Sequence, residues 1–233
     1  MALPEEVADV IDLDRSAFLS IDMQRRHVDP SVGYHLIDPA KTAAIVAAAR
    51  TALDVARAAD IPIVHVATYS RRPSPWGFVD HRNPFLEYQT GKIIPGMGKP
   101  RQSGENVEGS VYAEILPELA PQRDEPVVIK HRYSGFYGTD LESILRGLQI
   151  ETLFICGVNT NNCVLATVYD AFSRDFRIVV LADACGSMNG EDYHRFALME
   201  IEAALGFVMT TTEFRAMVER KRAAGIRAAG VRP

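Results

Sequence analysis

Short apolar runs alternate along this chain with longer helical patterns, and this alternation restricts the fold more than any other feature. Six runs have the length and composition of strands: residues 17–21, 61–67, 126–130, 152–156, 177–181 and 207–209. Several are apolar on both faces, as strands are when helices cover both sides of a sheet. With the right-handed crossover rule, the pattern predicts an α/β fold: a three-layer α/β/α doubly wound sheet, mostly parallel, of about six strands.

Helix signals fill the intervals between these runs. Asp38 is a capping residue followed by proline, and it opens the alanine-rich stretch 40–59. Thr139 and Glu142 have capping-box spacing, and Gly147 is placed to close that helix. Three further helices are predicted at residues 160–173, 190–205 and 212–222.

Residues 68–109 break the alternation and contain the single tryptophan, Trp76. A loop of this length inside a compact domain is usually functional, which predicts a lid or a subunit contact. We expect residues 223–233 to be partly disordered, and residues 1–233 to form a single domain.

The charge and the cysteine content limit which partners and which cellular location we expect for this protein. The net charge of -5 supplies no basic surface for nucleic acid or an anionic membrane. Residues 1–14 are acidic rather than signal-like, and no apolar run approaches the roughly 18 residues of a membrane span, so we expect a cytoplasmic protein. Three cysteines without CxxC spacing argue against both disulfides and a cysteine zinc site.

Residues of three reactive types come just after predicted strands. In an open parallel sheet, ligands bind outside the carboxyl ends of the strands, so these positions are candidates for a site. Asp22 and Lys130 come at strand ends, and Cys163 lies at the start of the helix after the fourth strand. A helix N-terminus, a cation and a base each favour a thiolate, and Cys163 is predicted to have all three. Asp22 is then the base that takes the thiol proton, Lys130 stabilises the thiolate, and the turn 157–163 offers amides to an oxyanion.

Each residue also has a structural interpretation. Cysteine is commonly a small buried hydrophobe, aspartate a helix cap and lysine a surface charge. A doubly wound protein that senses redox state through an oxidisable Cys163 is a further alternative.

Three blocks resemble the isochorismatase-like cysteine hydrolases: residues 18–24 with Asp-Met-Gln, 128–141 around the lysine, and 155–164 around the cysteine. The resemblance implies that Asp22, Lys130 and Cys163 form a catalytic triad. It also implies a cis peptide between Val158 and Asn159, with the backbone amides of Asn159 and Cys163 as the oxyanion hole. A thioester intermediate, early release of ammonia and a homo-oligomer, dimer or tetramer, are implied as well.

Within that family, the residues favour an amidohydrolase acting on a small ureido or carbamoyl compound, without a cofactor. Metal-dependent nicotinamidases look like they need an Asp-x-His ligand set after the second strand. Residues 65–70 lack that spacing, so no metal is expected. His65 is instead predicted to be satisfied within the sheet. A metal-free, nicotinamidase-like carboxamide hydrolase stays open. So does an isochorismatase-type hydrolase, although Cys163 weighs against it.

Several side chains are candidates for contacting the substrate: Gln24, Tyr133, Phe136, Tyr137 and Asn162. The aromatic residues are equally typical of core packing. A basic entrance would suit an anionic or carbonyl-rich substrate, and its candidates are Arg25, Arg26, His27 and Arg132. Cys156 and Cys185 are predicted to be structural.

Overall fold

The six predicted strands form one sheet in the computed structural model, which describes residues 9–32, 37–71 and 106–229. They are β1 (Ser16–Ile21), β2 (Ile63–Thr68), β3 (Val127–Lys130), β4 (Thr152–Val158), β5 (Arg177–Gly186) and β6 (Phe207–Met209). The order is β3-β2-β1-β4-β5-β6, and every pairing is parallel. The doubly wound α/β sheet is confirmed, and its strand order reverses between β1 and β4.

Helices cover both faces of the sheet. They are α1 (Arg25–Val28), α2 (Pro39–Ala58), α3 (Leu141–Gly147), α4 (Leu165–Phe172), α5 (Glu191–Glu200) and α6 (Thr211–Ala229). Single 3-10 turns lie at Leu13–Arg15, Pro30–Val32, Val111–Ala113 and Pro117–Leu119, and π-helical turns at Thr160–Val164 and Ile201–Leu205. Buried residues of α2 and α6 share one core cluster, whereas those of α3 and α4 share the other.

Strand β1 shows why the runs are apolar on both faces. All six of its residues are buried. Phe18 belongs to the cluster beneath α2 and α6, and Leu19 belongs to the opposite one. Phe214 of α6 packs 5.9 Å from Phe18 and 4.7 Å from Phe154, measured between ring centroids. Fully burying each such side chain stabilises the fold by about 1.5–3 kcal/mol.

The helix-start signals had different outcomes. Asp38 caps α2 as predicted, because its carboxylate accepts the backbone N–H groups of Ala40 and Lys41. The predicted capping box at Thr139 is not formed. The Glu142 carboxylate instead accepts a hydrogen bond from Arg174, with Nε of Arg174 2.8 Å from Oε2 of Glu142. The Thr139 hydroxyl still accepts the Leu141 N–H, at 3.3 Å.

Several boundaries differ from the predicted ones. Strand β5 continues to Gly186 because Cys185 and Gly186 pair with Gly157 and Val158 of β4. Helix α6 continues to Ala229, through residues predicted to be partly disordered, and its alanines are strong helix formers. Most of the predicted 68–109 loop, with Trp76, lies outside the described residues, as do residues 230–233.

The prediction that His65 is satisfied within the sheet is met at only one of its ring nitrogens. Its Nε2 lies 3.0 Å from Glu125 Oε2, whereas its buried Nδ1 has no hydrogen-bond partner among the described residues. Arg57 Nε lies 2.8 Å from Glu125 Oε1. Burial alone would raise the pKa of Glu125, but Arg57, the Gln122 amide and His65 lower it to about 2. Burial lowers the pKa of His65, so Arg57 and Glu125 form the ion pair and His65 adds a hydrogen bond to it.

No helix in the described ranges combines the length and apolarity that a membrane crossing requires.

Candidate active site

The three candidate catalytic residues lie together at the carboxyl edge of the sheet, near the point where the strand order reverses. Asp22 directly follows β1, and Cys163 lies in the turn after β4, the strand next to β1. Lys130 ends β3, two strands away, so its side chain passes the end of β2 to reach Asp22. Only a long side chain can cross that distance. Lys130 is 1% exposed, so its side chain is buried as it does so.

The Lys130 ammonium is held by three acceptors. Its Nζ lies 2.8 Å from Asp22 Oδ2, 3.3 Å from Cys163 Sγ and 3.1 Å from the carbonyl oxygen of Arg132. An ammonium group has three hydrogens, so these contacts use all of them. Lys130 therefore acts on its neighbours as a fixed positive charge.

Asp22 is fully buried, with its backbone in the left-handed region at a φ of 52°. Its carboxylate is ion-paired with Lys130. Burial raises the pKa of Asp22, and Lys130, the Cys163 thiol and the Thr68 backbone N–H oppose that rise without cancelling it. A carboxylate with a raised pKa beside a thiol is suited to taking up the thiol proton.

The Cys163 thiol is buried beside one cation and one carboxylate. Burial and the charge of Asp22 raise its pKa to about 12, although Lys130 lowers it. Desolvation therefore outweighs the nearby cation, which fits the predicted role of Asp22 as the base that takes the thiol proton. Nucleophilic attack from this site requires a base to remove the proton as the reaction proceeds.

The turn before Cys163 has an unusual hydrogen-bond pattern. The Val158–Asn159 peptide is cis, as the resemblance implied. The backbone amides of Asn162 and Val164 both donate to the carbonyl of Asn159, at 3.1 Å each, whereas the amide of Cys163 does not. The amide of Asn159 has no acceptor among the described residues. This π-helical turn therefore leaves the Cys163 amide out of the contact with the Asn159 carbonyl.

Gln24 is committed to the backbone. Its side-chain nitrogen donates to the carbonyls of Thr68 and Ala113, at 2.9 and 2.6 Å, and its oxygen accepts the Thr68 N–H. Both amide hydrogens are used, and the residue is fully buried. Gln24 therefore ties β1 to the end of β2.

The remaining candidate contacts lie in different environments. Phe136 is buried, with its ring 5.9 Å from the Phe176 ring, which is core packing. Tyr133 and Tyr137 are 43% and 65% exposed. Asn162 is half-buried beside Cys163, and its side-chain oxygen accepts from Asn161 at 3.3 Å.

The basic residues are also unequal. Arg25 pairs with Asp29 at 2.7 Å and Glu114 at 3.6 Å, so its charge is already compensated. Within the described residues, no carboxylate lies at ion-pair distance from Arg132, whose guanidinium donates to the His131 carbonyl at 2.7 Å. His27 Nδ1 donates to the carbonyl of Asp22 at 3.1 Å and so supports its backbone.

Cys156 and Cys185 are buried structural thiols. Burial raises the pKa of Cys156 to about 12 and raises that of Cys185 well above its ordinary value. Neither has a cationic partner comparable to Lys130.

The site also contains residues that sequence reasoning missed. Ser187, Asn189 and His194, which follow β5, bind the turn that carries Cys163. The signal that could have found Ser187 and Asn189 is their position as polar residues just after a strand end, where binding residues of a parallel sheet lie.

Comparisons with known proteins bear on the family and the fold. The family profile described as Isochorismatase domain matches residues 16–213. The ureidoacrylate amidohydrolase RutB of Azorhizobium caulinodans is 29% identical over 220 residues, covering 92% of this chain and 94% of that protein. The Methylobacterium radiotolerans protein of the same name is 30% identical, covering 91% of this chain and 82% of that protein.

A solved structure shares the fold. The cysteine hydrolase from Pseudomonas syringae pv. phaseolicola has a TM-score of 0.74 and 27% sequence identity, covering 90% of this chain and 95% of that chain.

Proposed function

Because the chain belongs to the isochorismatase domain family and is a hydrolase acting on non-peptide C–N bonds, we propose that it cleaves a small ureido or carbamoyl compound and releases ammonia. The ammonium of Lys130, in contact with both Asp22 and Cys163, is the observation that carries this proposal. The names of the two amidohydrolase relatives favour the ureido class.

The first half-reaction forms the covalent intermediate. Sγ of Cys163 attacks the substrate carbonyl carbon while its proton passes to Asp22, and the carbonyl oxygen becomes an oxyanion. The backbone amides of Asn159 and Cys163 donate to that oxyanion. The intermediate collapses as the C–N bond breaks, and Asp22 returns the proton to the departing nitrogen, which leaves as ammonia.

The second half-reaction regenerates the thiol. Asp22, again ionised, takes a proton from water, whose oxygen attacks the carbonyl carbon of the thioester. The C–S bond breaks, the acid product leaves, and Asp22 returns the proton to Sγ. Lys130 keeps its charge throughout, and so stabilises both the thiolate and the carboxylate.

Ammonia release tests the substrate class directly. We expect turnover of ureidoacrylate, biuret or an N-carbamoyl amino acid to exceed that of nicotinamide and simple aliphatic amides by at least about tenfold in kcat/KM, a difference of about 1.4 kcal/mol. Faster hydrolysis of nicotinamide would favour the carboxamide alternative. Cleavage of isochorismate, without any ammonia release, would favour the vinyl-ether reaction.

We also propose that the protein is a homo-oligomer, a dimer or tetramer, that associates through an apolar patch on α4 and α5. The patch consists of large side chains that are 43–63% exposed: Tyr169, Phe172, Tyr193, Phe196 and Met199. The hydroxyl of Tyr169 on α4 donates to Glu200 on α5 at 2.6 Å, so the two helices are neighbours and the patch extends over both. An aromatic side chain covers about 150–250 Å², so the four half-exposed rings offer roughly 300–500 Å². That is a large part of the ~800 Å² that each partner contributes to a standard interface.

Light scattering of the native protein and of Phe196→Glu/Met199→Glu tests the assembly. Because charges in a buried apolar contact are costly, we expect a dimer or tetramer to become a monomer. Leu148→Glu, at an exposed leucine on another surface, is the matched control and should leave the mass unchanged. A monomeric native protein would contradict the proposal.

A further inference from the structure

The segment after β5 holds three successive residues of the turn that carries Cys163. Side chains or amides from residues 187–194 bind the side chains of Asn159, Thr160 and Asn161. These three residues belong to the stretch of chain that joins the two proposed oxyanion donors, the backbone N–H groups of Asn159 and Cys163. Holding them in place therefore fixes the distance between the two N–H groups.

Ser187 is the central residue of this attachment. Its hydroxyl donates to Asn161 Oδ1 at 2.6 Å and accepts the N–H of Asn189 at 3.0 Å. Asn161 in turn donates to Asn189 Oδ1 at 3.3 Å. Ser187 is 7% exposed, and its hydroxyl closes a ring of hydrogen bonds between the nucleophile turn and the segment after β5.

Two further contacts fix the same turn. The backbone amide of Met188 donates to Asn159 Oδ1 at 2.8 Å in a buried position. The Thr160 hydroxyl lies 2.8 Å from His194 Nδ1, and Thr160 is fully buried. Because β4 and β5 are paired up to Val158 and Gly186, both segments leave the sheet side by side.

We propose that Ser187 is a positioning residue, which through Asn161 sets the placement of the oxyanion-hole amides relative to Sγ of Cys163. This inference rests on the proposed function, because it requires Cys163 to be the nucleophile and the two amides to hold the oxyanion. The Ser187 hydroxyl touches neither the thiol nor its proton acceptor. Its loss should impair the stabilisation of the oxyanion and leave the reactivity of the thiol intact.

The test compares turnover with alkylation in Ser187→Ala. Turnover is measured on the panel amide that the native protein hydrolyses fastest, and alkylation of Cys163 by iodoacetamide is followed by mass spectrometry of its peptide. Alkylation forms no oxyanion, so its rate should stay within about twofold, whereas kcat should fall roughly 10- to 100-fold because the amides are misplaced. Ser187→Thr, which keeps the hydroxyl, should recover most of the turnover.

Asn161→Ala provides a second route to the same contact. Asn161→Ala also removes the contacts to Asn162 and Asn189, so its loss of kcat should be at least that of Ser187→Ala. Because the two variants share the Ser187–Asn161 contact, the double variant should lose less than the product of the two single losses. Ser173→Ala, which removes an exposed hydroxyl bound to the Tyr169 carbonyl, is the matched control and should leave kcat unchanged.

Normal kcat in Ser187→Ala, or an equal fall in alkylation and turnover, would overturn the positioning role. Should Ser187→Ala fail to fold, the same comparison on Asn161→Ala decides. The two proposals fail separately: turnover that survives Cys163→Ala sinks the proposed mechanism, whereas a dead Cys163→Ala beside a fully active Ser187→Ala sinks only this inference.

Discussion

Replacing Cys163 with alanine is expected to lower kcat at least about 10⁴-fold, because the covalent route disappears and the oxyanion donors alone give limited catalysis. Acid-quenched native protein should carry an acyl group on Cys163 during turnover, visible as added mass on its peptide. The alanine variant should carry none. Ammonia release from the best substrate of the panel measures the loss.

Cys156→Ala is the matched control for this change. Cys156 is also buried, with a pKa near 12, but it lies in the core cluster on the opposite face of the sheet. Its replacement should cost some stability and leave kcat near the native value. Substantial turnover in Cys163→Ala would remove the thiol from its role. It would also favour the family's reactions that need no cysteine.

Strand-end reasoning predicted the three reactive residues because it needs only the sequence and the direction of the sheet. Asp22 follows the run 17–21, and Lys130 ends the run 126–130, so each was placed at the correct edge. The same reasoning expected all three residues to lie at the ends of neighbouring strands, which holds for β1 and β4 but is wrong for β3, because β2 lies between β3 and β1. Lys130 lies two strands from Asp22, and its reach past β2 depends on tertiary contacts that no local pattern specifies.

The pKa of Cys163 was not predictable in the same way. Its sequence neighbours suggest a helix start, which by itself lowers the pKa of a thiol. Its pKa depends instead on burial and on Asp22, which is 141 positions earlier in the chain. The hydrogen bonds of Ser187 are similar, since they join segments that become neighbours only when β4 and β5 pair.

Lys130→Met is expected to lower kcat at neutral pH by about 10²- to 10⁴-fold and to move the acid limb of the pH profile upward. Asp22 must be ionised to accept the thiol proton, so activity is present above its pKa and lost below it. Burial raises that pKa, and the charge of Lys130 is the largest influence that lowers it. Without the ammonium, the pKa of Asp22 rises further, and the carboxyl is protonated where the native protein is active. The profile of kcat/KM against pH measures the displacement.

Asp22→Asn separates this explanation from a general loss of the site. Both variants should be slow at neutral pH, but only Lys130→Met should regain activity as the pH rises, because it still has a carboxyl that can ionise. Lys221→Met, at a half-buried position on α6 where the ammonium donates to the Asp9 carbonyl, is the matched control and should reproduce the native profile. An acid limb in Lys130→Met that coincides with the native one would mean that the ammonium does not control the charge of Asp22. Its three contacts would then serve only to hold the Asp22 carboxylate, Cys163 and the Arg132 carbonyl in place.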